Sequence, residues 1–276
     1  MAESAFQIQY RNEFIAGFEQ TQSLVRNTVT TETQIKGNQA VFLVADSGAA
    51  TAVTRGLNGL IPARADNLNQ YTATLVEWHD LVRKTGFNVF ASQGDQRRIM
   101  QMTTMGVVNR KMDQDIITEL NTATQDTGAA KTADLALVLR GLTILGNNAV
   151  PMDGNISALI TPAFHAYLMQ TKEFASADYV NNKPFEGALT MYRWAGINFI
   201  VHPNLPGKGT AAEKCFLYHK NAIGHAVDTA GLQVPVGRDE EQDYSWSRAS
   251  VYMGSKLLQS SGVVVWNHDG SAFAAE

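Results

Sequence analysis

Cys215, His219 and His225 lie close together in the chain and are the first residues whose types suggest chemistry. A histidine beside a cysteine can lower the thiol pKa and create a nucleophile, or the three can offer a soft metal two kinds of ligand. Their spacing matches no signature of a thiol hydrolase or a zinc site, and a single cysteine is more often a small buried hydrophobe. Gly207, Lys208, Gly209 and Thr210 look superficially like part of a phosphate-binding loop. His202 stands where a Walker A loop needs glycine, and Pro203 and Pro206 precede an extended rather than a helical segment, so a surface turn is the expectation. Asp239, Glu240, Glu241 and Asp243 could offer oxygens to a hard cation, but a solvated loop or a contact between subunits is the simpler reading. His165, His202 and His268 are isolated and read as packing residues. No G-x-S-x-G elbow, H-E-x-x-H helix or EF-hand loop occurs. No catalytic, cofactor-binding or metal residue is assigned, and a Cys/His hydrolase is left as a remote alternative.

Composition narrows the classes further. The chain has 276 residues, 45% hydrophobic, enough for one large domain or two modest ones and too apolar for disorder throughout. Charged residues make up 17%, below the ~25% of average proteins. Polarity comes instead from 18 asparagines and 16 glutamines. A free-standing monomer usually carries a more charged surface. With 22 basic and 26 acidic residues the net charge is −4, which argues against a protein that grips nucleic acid along a basic face. One cysteine excludes an intramolecular disulfide. No window approaches the ~20 apolar residues of a membrane span, and the charged start, with Glu3, Arg11, Glu13 and Glu19, has no signal-peptide core, so synthesis in a cytosol is expected.

The elements that must position these residues follow from hydrophobic spacing. Residues 6–26 place Tyr10, Phe14 and Phe18 at near-helical intervals and predict an amphipathic arm. Ala40 to Val44 and Tyr71 to Val76 predict two strands around a glycine-rich loop too long for a compact domain unless it packs on something else. Ile99, Met102, Met105, Val108, Met112, Ile116 and Leu120 recur every three or four residues and predict a long helix over 95–123, with Ser92 and Asp95 as its cap. A second helix is predicted from Thr132 to a stop at Gly146, then a strand over 156–160 and a helix opened by Thr161 and Pro162. Strands are predicted over 197–201, 214–218, 232–236, 244–258 and 263–266, with a short helix over 221–227. Both types of element mix without a βαβ repeat, so the class is α+β.

The order of arm, extended loop, long helix, mixed unit and closing β-ribbon resembles the major capsid protein of tailed double-stranded-DNA bacteriophages. The segments Arg55-Gly56-Leu57-Asn58-Gly59-Leu60-Ile61-Pro62, Thr74-Leu75-Val76-Glu77-Trp78, Gln93-Gly94-Asp95-Gln96-Arg97-Arg98, Asp113-Gln114-Asp115-Ile116 and Ile160-Thr161-Pro162 carry the likeness. The resemblance implies an N-terminal arm over 1–35, an extended loop and flanking strands over 36–91, and a spine helix over 92–129. It implies an axial domain over 130–240, and peripheral strands with the C-terminus over 241–276. It also implies a non-enzymatic subunit that forms hexamers and pentamers of an icosahedral shell in the virion, enclosing DNA without reading its sequence. Expected partners are copies of itself, a portal and possible decoration proteins; Met1 leading almost directly into the arm favours a separate scaffolding protein. A nanocompartment shell of the same fold is the alternative. Assembly contacts are expected from Phe14 and Phe18 on the arm, Arg55, Arg64 and Asp66 in the loop, and Trp78 on its returning strand. Further contacts are expected from Arg97, Arg98, Arg110 and Lys111 on the spine, and from Glu240 and Glu241 in the acidic run.

Overall fold

The computed structural model describes residues 22–33, 35, 37–47, 50–64, 67–91, 96–175, 191–228 and 234–273. Phe14, Phe18, Asp66 and the cap formed by Ser92 and Asp95 lie outside them. In chain order the elements are β1 (Thr30–Glu32), β2 (Gln39–Asp46), β3 (Asn67–Thr74), β4 (Val76–Thr85), α1 (Gly86–Ala91) and α2 (Gln96–Leu120). There follow α3 (Leu135–Asn147), β5 (Ile156–Ile160), α4 (Pro162–Gln170), α5 (Lys172–Ala175), β6 (Met191–Trp194) and β7 (Ile197–Val201). The chain closes with β8 (Glu213–His219), β9 (Ile223–Val227), β10 (Val236–Asp239), β11 (Tyr244–Leu257) and β12 (Val263–His268). The class is α+β.

Three sheets organise these elements. The first is built on β11, whose 14 residues span ~47 Å. Along one edge it pairs antiparallel with β10 and then β9, and along the other with β4 from Tyr244↔Thr85 to Met253↔Val76. Parallel β1 adds to the far side of β9. Helix α2, 25 residues and ~38 Å long, lies along β11 and β4 and seals this sheet with Val108 and Met112 against Ala249, Val251 and Met253. The second sheet runs β12-β8-β5-β7-β6, with β5 and β7 parallel and its other pairs antiparallel. Strands β5, β8 and β12 are buried along nearly their whole length, and rings stack through the core from Phe164 to Trp266 and on to Phe199 and Tyr192. Gly141 lets α3 approach: a Cβ there would run into the indole nitrogen of Trp266.

The third sheet is the two-stranded ribbon of β2 and β3, paired from Gln39↔Thr74 to Asp46↔Asn67. Its root packs on the first sheet through Ala40, Ala73 and Ala226, and the Phe42 ring lies over Gly224. Beyond Asp46, residues 50–64 are exposed throughout. The Gly56 and Gly59 spacing closes the tip: Gly59 donates to the Gly56 carbonyl, and Gly56 to that of Leu60. Gly59 takes a positive φ of 72°, which explains a glycine at that corner.

Several boundaries depart from the sequence expectation. Residues 22–25 are not helical, so the arm helix does not reach 26; a 3₁₀ turn, Arg26–Thr28, leads into β1. Asp134, not Thr132, caps α3, its carboxylate accepting from the Leu137 amide at 2.7 Å, and the helix runs past Gly146 to Asn147. The helix predicted over 221–227 is a 3₁₀ turn followed by strand β9, whose five residues are all buried. A strand buried on both faces has no polar alternation to mark its period. Of the strand predicted over 232–236, residues 232–233 lie outside the described residues, 234–235 are not strand, and β10 begins at Val236. The step at Thr161 and Pro162 is as expected, with the threonine hydroxyl accepting from the Phe164 amide.

Candidate assembly surfaces and buried polar clusters

The residues with apparent chemistry are turned inward. Cys215 is buried on β8, its thiol pushed up to about 12 by desolvation. Its polar neighbour is the Thr161 hydroxyl at 3.9 Å, not a histidine. His219 accepts from the Asn221 amide at Nδ1, so its Nε2 hydrogen faces Asp153 at 3.2 Å. Two bonds from Asn155 hold the Asp153 carboxyl down at about 2. His225 bonds the Ser255 hydroxyl at 2.9 Å, and Ser255 donates to Asp115 at 2.6 Å. The serine proton is therefore spent on the aspartate and the imidazole donates to the serine, the reverse of the polarity that activates a nucleophile. Desolvation lowers His225 to about 4, and it pushes the Asp115 carboxyl up from its ordinary range.

The glycine-rich segment carries its own anion. Gly209 donates its amide to Glu213 at 2.6 Å, and Glu213 also accepts from Thr161 and from His268 Nδ1, at 2.6 and 2.7 Å. The loop is folded around an internal carboxylate of the same chain. The acidic run is likewise structural: β10 and β11 form a hairpin whose turn is built by Asp239, which accepts from the Glu241 and Gln242 amides, and by an Arg238–Asp243 ion pair. Glu240 and Glu241 project from that turn, exposed.

Asp113 is the polar joint that sequence reading passed over, although it stood inside a quoted motif. It is fully buried on α2. It accepts from the Ser23 hydroxyl and the Leu24 and Val25 amides, and His202 Nε2 stands 3.3 Å away. The spine thereby ties the incoming segment to the loop after β7. The available signal was an acid next to Met112 and one turn before Ile116 and Ile117, on the side of the helix where its apolar residues recur.

Of the expected contact residues, the structure gathers Trp78, Arg110 and Lys111 into one cleft of about 720 Å³ between β4, α2 and the loop carrying Leu205 and Lys208. The Lys111 ammonium sits 3.8 Å over the Trp78 ring. Arg55 and Arg64 lie on the exposed ribbon tip, and Arg98 is exposed near the start of α2. Arg97 is in the first turn of α2, its side chain outside the described set. Glu240 and Glu241 lie at the β10–β11 turn, away from the cleft.

Buried titratable groups, a rigid spine and an apolar ribbon standing off its own core mark a structural subunit built to associate. The chain belongs to the phage capsid protein family, whose model matches residues 2–269. Its fold is similar to that of a Mycobacterium phage Che8 chain, with a TM-score of 0.77 at 18% identity, covering 96% of this chain and 97% of that one. It is also similar to the capsid of a native GTA particle, at 0.71 and 13%, covering 96% of each chain. The Ralstonia phage GP4 capsid is a third likeness, at 0.66 and 14%, covering 99% of this chain and 96% of that one. No curated protein matches the chain. The chain is a structural capsid protein, a component of the virion shell.

Proposed function

We propose that the chain is the principal shell subunit of a tailed phage, assembling as hexamers and pentamers into an icosahedral container for double-stranded DNA and catalysing no reaction. The observation that carries this reading is the uncovered ribbon. Leu57 is fully exposed, Leu60 and Ile61 are 74% and 65% exposed, and Leu43 and Leu68 on the strands are 62% and 60% exposed. A monomer that kept this surface in water would be prone to aggregate, whereas copies that overlap bury it. Low charge and abundant amides fit a surface spent mostly on neighbours. In this reading the arm, Arg55, Arg64 and Asp66 contact neighbouring copies, while a separate scaffolding protein and a portal guide assembly and decoration proteins bind the finished shell. Electron microscopy of the concentrated full-length protein should show closed shells, rings or tubes, and particles from infected cells should hold nuclease-protected DNA. A strictly monomeric species at every concentration and salt would overturn the reading.

A further inference from the structure

We infer that the cleft between β4, α2 and the 203–208 loop receives the Glu240–Glu241 turn of a second copy of this chain. The inference rests on the shell-subunit reading above and names one contact within it. The cleft is cationic, with Lys111 and Lys208 at its lining, Arg110 beside them, and Asp80 as the one carboxylate that lines it. Three cations against one carboxylate leave the lining net positive, and the two outward carboxylates of the turn complement it.

The complementary surface is on the same chain but out of its own reach. Within the hairpin, Asp239 and Asp243 are consumed by the turn amides and by Arg238, leaving Glu240 and Glu241 as its outward charges. The turn stands beyond the Tyr244↔Thr85 pair, whereas the cleft opens at Trp78 and Asp80, five to seven residues back along β4. At ~3.3 Å per residue that is ~17–23 Å, too far for the two to meet within one chain. A patch that fits a different patch on the next molecule makes a head-to-tail contact, the kind that closes into rings. Lys111 held over Trp78 is pre-positioned, so carboxylate binding there costs little ordering of the lysine.

The test is a charge exchange in the full chain, read by sedimentation and electron microscopy. Glu240→Lys with Glu241→Lys, and separately Lys111→Glu with Lys208→Glu, should each lower the yield of assembled particles by about tenfold or more while the circular dichroism stays that of the parent. Combining all four substitutions should restore assembly to within about threefold of the parent. Lys208→Glu alone, on an exposed loop, keeps the test decisive if Lys111→Glu disturbs the packing on Trp78. Reversals that assemble as the parent does, or a folded four-fold variant that stays unassembled, would overturn the inference while leaving the shell reading intact. Lysine variants that build normal shells but enclose less DNA would assign the cleft to nucleic-acid phosphate instead. A parent chain that never leaves the monomer would overturn both readings.

Discussion

Asp113 holds three donors of one segment and faces a histidine of another, so its removal should act far beyond its size. Asp113→Ala leaves the Ser23 hydroxyl, two amides and His202 without their acceptor in a buried place. Each orphaned group costs ~1–3 kcal/mol before relaxation, and we expect ~3–4 kcal/mol lost in urea unfolding of the subunit. Asp113→Asn, which keeps an acceptor, should lose less. His225 sets a second expectation. Its folded value near 4 lies below the ordinary 6.5, so the unfolded chain binds the extra proton first as pH falls. The full stability is present above pH 6.5 and is lost on acidification toward 4, by up to ~3 kcal/mol from this group. Half-buried His165 and buried His268 are lowered in the same sense, while raised Asp115 acts in the opposite one at the acid end. Unfolding midpoints of His225→Asn between pH 7 and 4.5 should show a shallower fall than the parent. Among single residues, Cys215 was legible as a buried hydrophobe because composition alone favours that fate. The internal anion at Glu213 was not, since its partners Thr161, Gly209 and His268 converge only after the second sheet forms.

At the scale of elements, α2 and α4 could be read because local physics fixes them: a long apolar period in one, a threonine cap and an N1 proline in the other. Strand β9 could not, because its burial on both faces erases the periodic signal. Strand β4 fell inside a stretch read as the loop's flank, since its half-exposed alternation gains meaning only from pairing with distant β11. The ribbon's two strands were legible, whereas its attachment was not, because that depends on glycines that meet partners across the fold. Gly224 admits the Phe42 ring, and Gly254 lies under the Thr74 carbonyl at the ribbon's root. A Cβ at Gly254 would run into backbone, which cannot yield as a side chain can, so Gly254→Ala should cost ~2–3 kcal/mol and lower the global unfolding midpoint. Phe42→Ala should behave differently. The ring is only half-buried, so the loss should fall below the ~3–5 kcal/mol of a fully buried phenylalanine. Limited proteolysis should then find faster cleavage within 39–74 at nearly unchanged global stability.

For the whole molecule, the low charge and the overlong loop pointed to association because both are costs a solitary chain would carry without return. Which neighbour covers which surface was not readable, since sequence periodicity reports faces buried within a chain and is silent about those buried between chains. The ribbon tip tests that distinction. Leu57 and Leu60 contribute nothing to their own core, so Leu57→Asp with Leu60→Asp should leave circular dichroism and the urea midpoint of the isolated subunit unchanged. If both leucines are buried at a contact between copies, their loss removes ~1.5–3 kcal/mol each, together ~10²–10⁴ in the association constant. Light scattering should then report no particles at concentrations where the parent assembles. Arg55→Glu at the same tip changes charge but little apolar area, and its effect should shrink as salt rises, while that of the leucine pair should not. A leucine variant that assembles normally would place the ribbon outside the contact and remove the main physical reason for reading this chain as incomplete on its own.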